Sequence, residues 1–367
     1  MASYEPFGSV LVTGGCGFVG RNLVKALKQA QPDCNIVVLD VNTSSHTIPG
    51  VKYHTIDISD EPAMRAVFSS LAHPPRVIFH IACPPPLTRN HDAFYRVNVD
   101  GTRLLLSLAQ GLGTVKAFVY CSSSSVIHDN VSDLVDADET LPVLKPPVQK
   151  RVYTLTKAIA EEECLAANRA HGMLTLAIRP CTTFGPGDFL LSARVVNNVR
   201  TGRARYQLGE GKNDYDFTYI ENLVHAFLLA ASRLLQAAEA PALPPGDPMR
   251  IEGEAFNISN DERVPFWGFT LLMAEAWGTP VSEKELVKIP LWVGLILGFV
   301  TEWATWILTL GKKEPAMSVE TVGYTYKVRT INIEKAKRVL GYKPLYSMRE
   351  GIQKTAEWFK EQEKKSQ

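Results

Sequence analysis

The sequence predicts a doubly wound α/β fold: a parallel sheet covered by helices on both faces, with a smaller C-terminal substrate lobe. Three observations predict it. Short apolar runs alternate with helical patterns through the first half, a glycine-rich turn joins the first run directly to a helix, and the pattern loosens after Pro180. The apolar runs, in order, are SVLVT (Ser9 to Thr13), IVVLD (Ile36 to Asp40), VIFHIA (Val77 to Ala82), AFVYCS (Ala117 to Ser122) and LTLAIRP (Leu174 to Pro180). Each is rich in β-branched or aromatic residues and short of polar alternation, as strands buried on both faces should be. Residues 1–180 are therefore expected to form the dinucleotide-binding core. Residues 181–367 are expected to be mainly a substrate-binding lobe, with some elements returning to the core and with a hydrophobic segment at 289–310. QAAEAPALPPGDP (Gln236 to Pro248) reads as an exposed loop and the final KEQEKKSQ as a solvated tail. No internal repeat is present.

Composition narrows the function. With 39 Lys and Arg against 38 Asp and Glu, and no polybasic run, nothing in the charge pattern recruits nucleic acid, so the expected partner is a small molecule. Six cysteines (Cys16, Cys34, Cys83, Cys121, Cys164, Cys181) are scattered without a C-x-x-C pair, which suits reduced thiols in a cytosol-facing protein and gives metal binding no support. The N-terminus reaches an apolar strand after eight residues and lacks the regions of a signal peptide.

The first strand runs into TGGCGFVGRNLVKAL, with Gly14, Gly17 and Gly20 three residues apart and a helical pattern beginning at once. Glycines let the backbone take positive φ and approach a pyrophosphate, and the helix N-terminus offers free N–H groups with partial positive charge. Gly14, Gly17, Phe18, Val19 and Gly20 are thus the candidate phosphate contacts. A glycine triplet alone marks only a tight strand-to-helix turn. Here Asp40 ends the second strand, 20 residues after Gly20, where a carboxylate accepts hydrogen bonds from the adenosine ribose hydroxyls. A carboxylate there repels a 2′-phosphate, and Val41, Asn42 and Thr43 include no arginine to receive one, so NAD is favoured over NADP. Asp57 and Ile58, after the third apolar stretch, either meet the adenine edge or simply make a turn.

Chemistry is expected from Y-T-L-T-K, Tyr153 to Lys157, which opens a helix after the serine-tipped strand AFVYC. Tyr153 and Lys157 are four apart and share one helical face. A phenol titrates near pH ~10, too high for a general base, and a nearby ammonium lowers it by ~1–3 units. Ser123, 30 residues before Tyr153, would hold the substrate oxygen while the phenolate takes its proton and hydride leaves for a nicotinamide. A bare Y-x-x-x-K occurs often by chance; following a nucleotide turn, an acidic strand end and a serine-tipped strand in the required order, it does not read as chance.

With these residues in place, the chain resembles the extended short-chain dehydrogenase/reductases, Rossmann-fold enzymes, over nearly its whole length. Within that group it is similar to the 3β-hydroxysteroid dehydrogenases, most of all the sterol-4α-carboxylate 3-dehydrogenases (decarboxylating) of fungal and animal sterol synthesis. The segments that carry the resemblance are TGGCGFVG, FHIACPPP (Phe79 to Pro86), YRVNVDGT (Tyr95 to Thr102), SSSSV, YTLTK, AIRPCTTFGPGD (Ala177 to Asp188), DFTYIENLVHAFLLA (Asp216 to Ala230) and AFNISNDERVPFW (Ala255 to Trp267). The last two are more specific than the rest. The resemblance implies catalytic roles for Ser123, Tyr153 and Lys157, support of the lysine by Asn98 through a proton relay, a main-chain turn at Ala82 along the cofactor, and Pro180 flanking the nicotinamide. It implies NAD-dependent oxidation of a 3β-hydroxyl on a sterol or related terpenoid, on a 4α-carboxysterol with loss of carbon dioxide, at the endoplasmic reticulum membrane or a lipid droplet. Family members commonly show T-S-S-A-S where this chain has Cys121 to Ser125, and G-I-F where it has Thr182-Thr183-Phe184. The second departure lies near the substrate and leaves open a paralogue acting on a triterpenoid or meroterpenoid.

A nucleotide-sugar epimerase or dehydratase shares the fold and the Tyr/Lys pair. Those enzymes typically place an arginine before Asp-Phe to bind a diphosphate, whereas Tyr215 precedes Asp216-Phe217 here and supplies no cation. A non-catalytic NAD sensor usually lacks the tyrosine or lysine. Finally, Ile289 to Leu310 is 22 residues long with Glu302 its only charge. Eleven Leu, Ile, Val or Phe residues against that acid make a full span marginal. Trp292, Phe299, Trp303 and Trp306 recur at helical spacing, a face suited to peripheral contact with lipid headgroups, with Lys312 and Lys313 beyond it suited to anionic ones. The alternatives are packing on the protein's own core or on a second copy in a homodimer.

Overall fold

The computed structural model describes residues 4–44, 47–85, 90–310, 315 and 317–366. Its centre is a seven-stranded, wholly parallel sheet. In spatial order the strands are Glu254–Ile258, Leu174–Pro180, Ala117–Cys121, Val77–His80, Ser9–Thr13, Asn35–Asp40 and Val51–Thr55. The chain builds outward from Ser9–Thr13 in one direction, then returns to its other side with Val77–His80. The crevice between the carboxyl ends of those two strands is the switch point at which open α/β sheets bind ligands.

All five apolar runs are strands of this sheet. Their side chains alternate between two cores, Val10, Val12, Ile36, Val38 and Phe79 on one face and Leu11, Val37, Leu39, Ile78 and Phe118 on the other. Each such side chain contributes roughly 1.5–3 kcal/mol by leaving water. The helix after the glycine turn, Phe18–Ala30, buries Gly20, Leu23, Val24 and Leu27, one face at helical spacing. Two strands carry no apolar run. Val51–Thr55 is an edge strand with no fully buried residue, and Glu254–Ile258 is the opposite edge.

A second sheet orders Arg263–Pro265, Asp214–Tyr219, Arg329–Ile331 and Leu134–Ala137, with Thr182–Phe184 pairing Asp214–Tyr219. The chain thus crosses between sheets repeatedly: Leu134–Ala137 interrupts the first sheet's strands to join the second, and Glu254–Ile258 interrupts the second sheet's strands to join the first. Two boundaries differ from expectation. The helix Ile220–Glu239 runs through the first four residues of the expected loop, because Gln-Ala-Ala-Glu are good helix formers and the first proline follows only at Pro241. The expected C-terminal tail is the end of a helix, Met348–Ser366.

The hydrophobic segment forms the helix Leu291–Thr309. It docks by one narrow face. Gly294 lies against Leu208 and Gly298 against the Ser318–Val319 backbone, so close that a Cβ would sit 2.7 Å and 2.9 Å from them, and Thr301 Oγ1 donates to the Met317 carbonyl at 2.6 Å. Trp292, Phe299, Trp303 and Trp306 are 53–64% exposed. Packing of that stripe on the protein's own core, one of the alternatives, is therefore ruled out: the small residues that permit close approach are on the other side. Lys312 and Lys313 lie outside the described residues.

Candidate active site

The candidate cofactor residues gather at the carboxyl edge of the sheet. Gly14 ends the first strand with φ +70°, and a Cβ there would be 2.7 Å from the Ala82 Cα, so only glycine permits this approach across the switch point. At Gly20 a Cβ would fall 2.1 Å from the Gly14 carbonyl oxygen. Gly17 caps the helix without a side-chain partner, which leaves the first-turn N–H groups, Phe18 and Val19 among them, without an intrahelical acceptor. Asp40 braces the turn: Oδ2 accepts from the Cys16 N–H at 2.9 Å and Oδ1 from the Asn42 N–H at 3.0 Å. Ala82 N–H donates to Thr13 Oγ1 at 3.2 Å, and Pro180 is buried at the end of its strand. Asp57 makes a local turn, accepting from the Ser59 N–H and hydroxyl, and faces Arg96 at 3.3 Å. Burial pushes its carboxyl up, but those hydrogen bonds and Arg96 hold it below the usual range. Ile58 is buried against Gly101.

The catalytic candidates meet a few residues away. Ser123 follows the Ala117–Cys121 strand in extended conformation, and its Oγ accepts from the Ser125 N–H at 3.2 Å and the Ser125 hydroxyl at 2.9 Å. Tyr153 and Lys157 lie on the helix Val152–Ala166, and Ser123 lies near enough to the Tyr153 phenol to lower it. Lys157 is buried; its Nζ donates to the Cys121 carbonyl at 2.7 Å and sits 4.9 Å over the Tyr120 ring. Burial and the neighbouring Cys83 and Cys121 push the Tyr153 phenol up to about 12, while Lys157 and Ser123 pull it down. Burial pulls the Lys157 amine down, yet the thiols of Cys83 and Cys121 and the phenols of Tyr120 and Tyr153 hold it above its ordinary range, so it is an ammonium. Asn98 sits in a π-turn, Tyr95–Asp100; its Nδ2 donates to Thr156 Oγ1 at 3.0 Å, beside Lys157 rather than to it. Its buried Oδ1 has no partner.

Sequence reasoning missed two features. Cys83 stands next to Tyr153 and Lys157, close enough to influence both. A buried relay also crosses the switch point. Thr13 Oγ1, accepting from the Ile81 and Ala82 N–H groups, pairs with His80 Nδ1 at 2.7 Å; His80 Nε2 pairs with Thr102 Oγ1 at 2.8 Å, which donates to the Asn98 carbonyl at 2.5 Å. Burial lowers the His80 imidazole to about 3, so it is neutral. The acceptor role forced on Thr13 Oγ1 by the two N–H groups assigns the proton to Nε2. A histidine closing an apolar strand run was the available signal.

Ser123, Tyr153 and Lys157 gather beside the Gly14 turn, the arrangement expected of a tyrosine-dependent dehydrogenase of the extended short-chain type. The fold agrees. The chain superimposes on UDP-glucose 4-epimerase from Thermotoga maritima with TM-score 0.70 at 23% identity, covering 96% of this chain and 99% of that one. It superimposes on dTDP-glucose 4,6-dehydratase from Bacillus anthracis with TM-score 0.68 at 20% identity, covering 97% of each. In sequence, residues 11–291 match the 3-beta hydroxysteroid dehydrogenase/isomerase family. The chain is 35% identical to the decarboxylating sterol-4-alpha-carboxylate 3-dehydrogenase of Candida albicans, over 97% of this chain and 99% of that protein. It is 34% identical to 3beta-hydroxysteroid-dehydrogenase/decarboxylase isoform 1 of Arabidopsis thaliana, over 95% and 79%. The mouse sterol-4-alpha-carboxylate 3-dehydrogenase is 32% identical over 95% and 90%. The chain belongs to the 3-beta hydroxysteroid dehydrogenase/isomerase family, and is an NAD(P)-dependent oxidoreductase acting on CH–OH groups.

Proposed function

We propose that this enzyme oxidises the 3β-hydroxyl of a 4α-carboxysterol with NAD as acceptor and with loss of carbon dioxide. The observation that carries the reading is Ser123 and Tyr153 side by side with buried Lys157 at the same strand ends as the Gly14 turn, in a chain whose relatives are named for that reaction. The residues present fit a dinucleotide: a cradle at Gly14 and Gly20 that a Cβ would fill, and a helix N-terminus without a side-chain cap. When bound, NAD supplies the hydride acceptor.

The chain does the rest. The Phe18 and Val19 end of the helix receives the pyrophosphate, and Asp40, held by the Cys16 and Asn42 N–H groups, accepts from ribose hydroxyls and repels a 2′-phosphate. Ala82 and Pro180 line the cofactor crevice and Asp57-Ile58 its adenine end. Ser123 donates to the substrate oxygen, Tyr153 removes the hydroxyl proton, and Lys157 stabilises the phenolate. Asn98, with its unpartnered Oδ1, serves the lysine through a bridging donor. Once the 3-hydroxyl is a ketone, the adjacent carboxylate belongs to a β-keto acid, and the ketone takes up the electrons released as carbon dioxide leaves. No further catalytic group is required.

Residues from 181 onward supply most of the substrate side. Tyr215, where a diphosphate-binding arginine would stand in a sugar-nucleotide enzyme, is buried with its hydroxyl on Thr182 Oγ1 at 2.8 Å, which favours a sterol over a nucleotide sugar. The exposed face of Leu291–Thr309 rests on a bilayer, on the cytosolic side of the endoplasmic reticulum or on a lipid droplet, where such substrates reside. The test is incubation of the purified protein with a 4α-carboxysterol and NAD, or NADP, followed by mass spectrometry. A ketone lighter by carbon dioxide, formed faster with NAD, is expected. Oxidation without mass loss would point to a paralogue.

A further inference from the structure

Among the described residues two arginines are buried, and they are treated differently. Arg179 is paired, its Nε donating to Glu161 Oε2 at 2.9 Å. Arg329, 8% exposed, has no carboxylate partner. Its guanidinium lies 5.4 Å over the Tyr324 ring and opens onto a small cavity, about 10 Å³ and continuous with solvent, that His128, Asn130, Tyr215 and Lys327 also line. Chains bury an unpaired guanidinium only at considerable cost unless an anion answers it.

Asn130 and Lys327 add donors at the cavity, while neutral His128 adds an acceptor. Asn130 accepts from the Tyr324 hydroxyl through Oδ1 at 3.1 Å, and its Nδ2 has no partner. His128, 4% exposed, donates from Nε2 to the Ser132 carbonyl at 2.9 Å, and its Nδ1 is buried without a partner. Lys327 adds a second cation, Nζ on the Asn130 carbonyl at 2.9 Å. The nearby acids are occupied elsewhere: Asp129 accepts from Val131, Ser132 and the Ser132 hydroxyl and is 3.8 Å from His128 Nε2, and Asp133 accepts from the Val328 N–H. Neither lines the cavity.

The cavity walls are linked to the segments that carry the catalytic candidates. His128 follows Ser123 by five residues, and its carbonyl is held by Gln149 Nε2 at 3.0 Å. Gln149 Oε1 in turn accepts from the N–H of Arg151, the residue that starts the Tyr153 helix and whose guanidinium lies 5.1 Å over the other wall residue, Tyr324. Tyr215 is tied to Thr182, two residues past Pro180.

We propose that this cavity is the receptor for the substrate's carboxylate, with Arg329 and Asn130 donating to its two oxygens. The proposal rests on the carboxysterol reading above and goes further by assigning the residues that tell a carboxylated sterol from an uncarboxylated one. A planar guanidinium matches a carboxylate's geometry, and the contact exists before the alcohol is oxidised, so it belongs to substrate binding and appears in KM. Its loss should matter only for substrates carrying the acid.

The experiment compares wild type, Arg329→Met, Arg329→Lys and Asn130→Ala on a 4α-carboxysterol and the matching 4α-methyl 3β-hydroxysterol, with NAD. Arg329→Met is expected to lower the kcat/KM ratio of carboxysterol over methylsterol roughly 10- to 100-fold, mainly through KM, as for loss of a charged hydrogen bond. Asn130→Ala should act in the same direction by less, and Arg329→Lys should recover part of the ratio. Thermal midpoint and NAD affinity by fluorescence report folding; if Arg329→Met does not fold, Arg329→Lys and Asn130→Ala carry the comparison. An unchanged ratio in the folded variants overturns the assignment while leaving the carboxysterol reading intact. Failure of the wild type to oxidise either sterol overturns both.

Discussion

On the proposed mechanism Tyr153 deprotonates an alcohol from a place where burial pushes its own phenol up to about 12, and each unit of that rise costs ~1.4 kcal/mol in forming the phenolate at neutral pH. Lys157, an ammonium against the Cys121 carbonyl, offsets part of this. Oxidation should therefore accelerate as pH rises from 7 towards 10, because the raised phenol is increasingly ionised over that range. Tyr153→Phe should lower kcat ~10²–10⁴-fold while NAD still binds, measured by steady-state kinetics and fluorescence titration. A pH-independent rate, or near-normal turnover in the phenylalanine variant, would remove Tyr153 as the base. The pair was readable from its four-residue spacing, since one helix sets that geometry by itself. Cys83 and Cys121, which press on the same phenol, were not, because they reach it from the ends of other strands.

At the level of elements, the glycine turn and the apolar helix behave differently. The turn is local chemistry: Gly14 and Gly20 are required by contacts within a few residues and with the adjoining strand end at Ala82. The helix Leu291–Thr309 shows its composition in sequence, but which side faces out depends on Gly294 and Gly298 fitting against Leu208 and Ser318. With the tryptophans outward, the full chain should sediment with phosphatidylcholine vesicles, and Trp303→Glu with Trp306→Glu should reduce the bound fraction at least about tenfold. Recovery in the supernatant as a dimer by light scattering would instead assign the face to a second copy. The edge strand Val51–Thr55 escaped the apolar-run criterion because a half-buried edge does not need a continuous hydrophobic run, and Glu254–Ile258, though buried, because Glu254 and Asn257 break its run.

The whole molecule is tied across its switch point by the Thr13–His80–Thr102 chain to the turn that carries Asn98. Buried and neutral, His80 titrates near about 3 folded but near ~6.5 unfolded. A lowered folded value means the unfolded chain binds the proton first, so stability is full above pH ~6.5 and falls as pH drops below it. About 2 kcal/mol should be lost between pH 7 and pH 5 from this group, seen as a lower urea midpoint. His80→Gln should show a smaller drop, and an equal drop in both proteins would dismiss His80 as the cause. The sequence by itself determined five of the sheet's strands, the glycine turn, the acidic strand end and the Tyr/Lys pair, because each is specified by residues near in sequence or by one element's period. Only the tertiary structure decided that Arg329 stays unpaired beside His128 and Asn130, that the aromatic face of Leu291–Thr309 points outward, and that His80 links two loops. Those outcomes depend on which distant side chains arrive at the same place, and the free energy of burying a charge or an aromatic ring is set by the neighbours that arrive there.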